Sequence, residues 1–122
     1  MAKKAVSSAP QESIDAFDRL VATQPSVERK GASVPYTSVN GHMFSYLIAD
    51  GTLALKLPPP DREEFLATFE TSLVQAYGVV QKEYVQVPVS LLLETARLAP
   101  YFELSLRYTS SLKPKATKGK AS

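Results

Sequence analysis

Apolar and polar positions recur with two different periods along this chain, and the changes of period divide it into elements. Over 11–24, Ile14, Phe17, Leu20 and Val21 fall at i, i+3, i+6 and i+7, the spacing that gathers side chains on one stripe of a helix. Glu12, Asp15 and Asp18 lie towards its start, where the helix dipole favours acidic groups, and Pro25 ends it. Residues 27–33 read as a loop. The period then drops to two in three runs, 34–39, 42–49 and 52–57, separated by Asn40-Gly41 and Asp50-Gly51. Both dipeptides favour two-residue hairpin turns with positive φ. Two-residue loops fix the register: Val39 faces His42 and Tyr36 faces Ser45 in the first hairpin, while Ile48 faces Leu53, Tyr46 faces Leu55 and Phe44 faces Leu57 in the second. That second set is the expected core face. The other face pairs Leu47 with Ala54 and Ser45 with Lys56. Pro35 has no backbone donor, which makes 34–39 an edge strand.

Pro58-Pro59-Pro60 reads as an extended spacer that stops the third strand. Asp61 is the expected cap of the next helix, with Glu64 completing a capping box. Phe65, Leu66, Phe69 and Leu73 form its core stripe, and the helix fades near 77–78. Residues 79–87 read as a fourth strand, closed by Pro88. Ser90 is then the expected N-cap of a helix running to about 99, and Pro100 either kinks it or opens a new one continuing to about Leu112. Phe102, Leu106 and Thr109 share one face of this last segment, and Tyr101, Leu104, Tyr108 and Leu112 the neighbouring one. So much apolar surface allows a homodimer through the C-terminal helix, although wrapping onto the sheet and the first helix within one chain is preferred. The expected fold class is α+β: an antiparallel sheet, made of a three-stranded meander plus a fourth strand, covered by helices in the order α-β-β-β-α-β-α-α.

Composition sharpens this picture by exclusion. The 122 residues fit one domain, and 44% hydrophobic with 21% charged is ordinary for a globular chain. There is no cysteine and a single histidine, His42, which excludes disulfides, thiolate metal sites, a cysteine nucleophile and multi-histidine centres. No metal or cofactor is expected. No apolar run approaches the roughly 18 residues of a membrane span, and the first ten residues lack the apolar core of a secretory signal. The expectation is a cytoplasmic protein with no membrane contact.

The formal charge of +2 is set by the ends, Lys3 and Lys4 at the start and Lys113, Lys115, Lys118 and Lys120 at the finish. Without those six, eight basic side chains stand against twelve acidic ones, a net −4. Residues 1–10 and 113–122 are accordingly read as a flexible N-terminal segment and a flexible lysine-rich tail around a domain at 11–112. The six terminal lysines are the candidate nucleic-acid contacts, and their binding would be weak, salt-sensitive and blind to sequence.

Candidate chemistry within the body is sparse. No nucleophile-elbow, phosphate-loop or dinucleotide-binding motif occurs, and His42 has no orienting carboxylate or nucleophile proposed by its surroundings. Glu63, Glu64 and Glu70 read as a solvated helix face. Lys56 is the most distinctive residue, since the expected register sets it beside Ser45 and near Tyr36, a combination suited to an anion or an acidic partner segment. The six tyrosines offer a stacking platform only where several share an open face with cations, and few cations accompany them.

Several stretches resemble the family of the TfoX N-terminal domain and its YjbR or MmcQ relatives. They are Asn40-Gly41-His42-Met43-Phe44, Leu53-Ala54-Leu55-Lys56-Leu57, Pro59-Pro60-Asp61-Arg62-Glu63-Glu64, and Gly78 to Pro88 with its end Tyr84-Val85-Gln86-Val87-Pro88. Pro100-Tyr101-Phe102-Glu103-Leu104-Ser105 is similar to small uncharacterised bacterial TfoX/Sxy-like proteins. The resemblance spans about two-thirds of the chain, from Pro35 to Lys115. It implies a compact α+β domain with a curved antiparallel sheet, an association with competence regulation, and DNA binding as described for YjbR-type relatives. It carries no active residues onto this chain. The sequence therefore points to a non-enzymatic regulatory or adaptor module acting through an unidentified protein partner, with the nucleic-acid reading as its alternative.

Overall fold

A computed structural model describes residues 9–31, 34–76 and 78–112. Its elements are α1 (Gln11–Val21), β1 (Tyr36–Val39), β2 (His42–Leu47), β3 (Leu53–Lys56), α2 (Pro59–Thr68), β4 (Leu73–Ala76), β5 (Val79–Val87), α3 (Val89–Leu92) and α4 (Thr95–Ser110). The five strands form one antiparallel sheet in the order β1-β2-β3-β5-β4, so the class is α+β as expected, with one strand more. β1 lies at an edge, where Pro35 placed it.

The extra strand arises because α2 stops early. Glu70 takes φ +50, and the Thr71 N–H reaches back to the Leu66 carbonyl at 3.1 Å, a Schellman closure that uses a non-glycine residue in the left-handed region. Leu73 therefore leaves the expected helix stripe and opens β4. The start of α2 also differs from expectation. Pro58 is the N-cap, Pro59 and Pro60 occupy first-turn positions that need no donor, and Asp61 makes no capping bond. Likewise Pro88, not Ser90, precedes α3, and Pro100 lies inside α4. At the N-terminal boundary, Ala9 is buried and the Pro10 carbonyl accepts from Ser13 and Ile14, so both belong to the folded body.

The second hairpin corrects the expected register. The Gly51 N–H bonds the Ile48 carbonyl and the Ile48 N–H bonds the Thr52 carbonyl, which leaves three residues in the loop. The pairs become Leu47 with Leu53, Tyr46 with Ala54 and Ser45 with Leu55. A one-residue slip exchanges faces. Leu47 and Ser45 thus enter the core side, whereas Tyr46 and Ile48 move to the other. In the first hairpin the two-residue turn holds, with Asn40 at φ +56 and Gly41 at φ +79, and Val39 faces His42. Beyond it a bulge leaves Phe44 without a partner and pairs Thr37 with Ser45 and Tyr36 with Tyr46. Phe44 and Ser45 are consequently both buried, Phe44 against Phe102 at 5.5 Å between ring centres.

One core holds the molecule together. Leu53, Leu55, Leu57, Val85 and Val87 face Phe17 of α1, Phe65 of α2, Leu92 of α3 and Phe102 of α4, so all four helices gather on the same side. Leu98, Phe102, Ser105 and Thr109 are the buried positions of α4, while Tyr101 and Leu104 are half-buried, Tyr101 edge-on to Phe65 and Phe69. One face of α4 is thus buried within the chain, and the neighbouring one is half-buried. Among the described residues the exposed large apolar side chains are Val34, Met43, Val79, Val80 and Leu93, none of them on this helix.

Candidate functional site

With the helices on one side, the alternate residues of the strands form a second surface. Tyr36, Tyr46, Ala54 and Gln86 make one row across it, and Lys56 with Tyr84 the next. β5 gives this surface its shape. Its residues 84–87 pair with β3, but after Val85 faces Leu73 the ladder jumps to Gln81 facing Val74, and residues 82–84 have no partner on β4. Beyond that break β4 and β5 pair again as a short hairpin arm, Val74–Ala76 with Val79–Gln81. Val74 and Gln81 from this arm, with Met43, Tyr46, Ile48 and Val34 from the opposite end of the sheet, line an open groove of about 540 Å³. Its lining carries no charged side chain. Four exposed apolar residues belong to the groove or the arm beside it: Val34 (51% exposed), Met43, Val79 (59%) and Val80.

Lys56 projects from the surface away from the leucines, as expected, but not beside Ser45. It is only 6% exposed, meets Glu83 Oε1 at 2.9 Å and stands 5.8 Å from the centre of the Tyr84 ring. Ser45 lies on the core side, fully buried and hydroxyl-bonded to Thr37. Tyr36 occupies the neighbouring row from Lys56 and exchanges both backbone hydrogen bonds with Lys30. The expected trio is therefore not assembled, because the three-residue second turn sets Ser45 opposite Leu55 and the bulge in the first hairpin sets Tyr36 opposite Tyr46. Lys3, Lys4, Lys113, Lys115, Lys118 and Lys120 lie outside the described residues.

The partners that do surround Lys56 were not singled out by sequence reasoning. Glu83 is held below the usual carboxylate range, first by the hydrogen bond from Lys56. Burial opposes that effect, and the charges of Lys56, Arg62 and His42 add to it. Tyr84 donates its hydroxyl to the Met43 carbonyl at 2.7 Å and meets Tyr46 edge-on at 5.4 Å. Burial first, then Tyr46 and Glu83, push its hydroxyl up to about 12. The signal for these residues was Lys82-Glu83-Tyr84 itself, three consecutive polar-tipped side chains in a strand whose faces separate poorly, which marks the unpaired stretch.

Among the described residues no group of three or more His, Cys, Asp or Glu is placed to hold a metal ion, and no helix is long and apolar enough to cross a membrane. In comparisons with protein-family models, curated proteins and solved structures, no match to the chain is found.

Proposed function

We propose that the chain is a cytoplasmic, non-enzymatic regulatory or adaptor module of the TfoX N-terminal type, acting by taking an uncharged, apolar segment of a partner protein into the groove on its helix-free sheet face. The observation that carries this reading is the groove itself, uncharged along its lining and flanked by exposed Val34, Met43, Val79 and Val80. Contiguous apolar surface of this kind on a small domain marks an interaction site. The TfoX part of the reading is supported by the sequence resemblance and by the α+β class with an antiparallel sheet that the resemblance implies. Self-association is the same proposal with a second copy as partner. It is better placed at the groove than on α4, which carries none of the exposed large apolar side chains among the described residues.

The test pairs light scattering with affinity capture from bacterial lysate, using the full chain and a Val79→Lys/Val80→Lys variant. Both residues are exposed, so the variant is expected to fold. A partner or a second copy held by the full chain and lost by the variant supports the reading. Identical behaviour of the two, or a monomer that retains nothing, overturns it.

A further inference from the structure

Leu57, directly after Lys56, joins α2 to β5 in a charged corner that the groove does not use. Arg62, near the start of α2, donates from Nη2 to the Leu57 carbonyl at 3.2 Å. Its Nε is buried and has no hydrogen-bond acceptor among the described residues. The Leu57 N–H in turn bonds the Glu83 carbonyl at 3.3 Å, so one residue, directly after Lys56, ties Arg62 and Glu83 to the same corner. Lys56 meets the Glu83 carboxylate directly, and Arg62 and His42 lie near enough for their charges to act on it.

The two cations and the acid are held very differently. The Lys56 side chain is 8% exposed and fixed between its strand neighbours, whereas that of Glu83 is 54% exposed. Glu83 also sits in the stretch of β5 that no β4 residue pairs with. Turning its carboxylate out to water breaks the ion pair and little else. The corner left behind would hold a buried ammonium and an unmet guanidinium donor, both of which demand an anion.

We propose that this corner binds a dianionic phosphoryl group, which displaces the Glu83 carboxylate, takes its place on Lys56 Nζ and accepts the unused Arg62 Nε–H. A phosphoryl dianion matches two cations, whereas the resident carboxylate matches one. Arginine Nε and lysine Nζ are suited to this pairing, the first by directed donors and the second as a compact charge. The site is independent of what fills the groove.

The experiment is calorimetric titration of the full chain with inorganic phosphate at constant ionic strength, repeated with O-phosphoserine and with acetate. Saturable binding at one site is expected. Arg62→Gln and Lys56→Met each weaken it by about tenfold or more, as loss of a charge-assisted hydrogen bond should. Glu83→Gln tightens it severalfold by removing the internal competitor. Circular dichroism checks folding, and the half-buried Arg62 carries the decision where the Lys56 variant fails to fold. Tighter binding of O-phosphoserine than of phosphate assigns the phosphoryl group to a larger ester, and the reverse order assigns it to the free ion. Absence of saturable binding, undiminished binding by Arg62→Gln, or weaker binding by Glu83→Gln overturns the proposal, as does acetate binding as tightly as phosphate.

Discussion

Tyr84 has a strand position that the sequence revealed and a role that it did not. Residues 79–87 read as a strand, but the acceptor of the Tyr84 hydroxyl is the Met43 carbonyl, 41 residues earlier, reached across β3. Such a contact depends on sheet order, which no local pattern encodes. The hydroxyl is pushed up to about 12, chiefly by burial, above the value of about 10 for an unfolded tyrosine. A raised pKa means that the folded state keeps the proton longer. The stabilisation is therefore complete below about pH 10 and is lost as pH rises through about 12. Tyr84→Phe is expected to cost about 1 kcal/mol at neutral pH for the lost hydrogen bond, and to lose less additional stability than the parent between about pH 10 and 12. Urea midpoints for both proteins at neutral and alkaline pH check this. Parallel alkaline losses would show that Tyr84 is not held as described.

At the scale of elements, helix stripes and edge assignment were legible while strand register was not. Phe17, Leu20 and Val21 bury as their spacing required, because a helix face depends only on residues within the same segment. The register of β2 on β3 depends instead on one loop. Asp50-Gly51 looked like a two-residue turn, yet the Asp50 carboxylate accepts from both the N–H and the hydroxyl of Thr52, and Gly51 at φ +96 becomes the third loop residue. Packing adds to that choice, since Pro10 and Ser13 crowd the glycine. A Cβ on Gly51 would lie 2.9 Å from Ser13 Oγ and 3.3 Å from Pro10 Cδ. Gly78, at φ +75, has nothing within 4 Å of such an atom. Gly51→Ala should accordingly cost about 2 kcal/mol, from backbone strain together with the clash, and Gly78→Ala about 1 kcal/mol from the backbone alone. Denaturation of the two variants tests the order. A Gly78→Ala variant less stable than Gly51→Ala would mean that α1 does not press on this turn.

For the whole molecule, the groove and the Lys56 corner escaped the sequence because each joins segments far apart in the chain. Val34 and Val74 line one groove across a sheet whose strand order only the fold defines, and Arg62 is tied to Glu83 by way of Leu57. Net charge, in contrast, is fixed by composition and needs no fold. With the six terminal lysines set aside the rest carries −4, and Lys56, on the helix-free side of the sheet, is already paired with Glu83. A phosphate backbone laid on such a surface releases few counterions and meets net repulsion, so any affinity for DNA must come from the lysine-bearing ends. Fluorescence anisotropy of the full chain and of a version ending at Leu112 puts this to the test. The four lysines after Leu112 would give a slope of log affinity against log salt of about −3 to −4 on duplex DNA. The shortened chain, which keeps only Lys3 and Lys4 of the six, should bind far more weakly near physiological salt. Comparable binding by both, with a shallow salt dependence, would place a nucleic-acid surface on the folded body and reverse the order of the two functional readings. Loss on shortening would leave the sheet face free for a protein partner, in keeping with its uncharged groove.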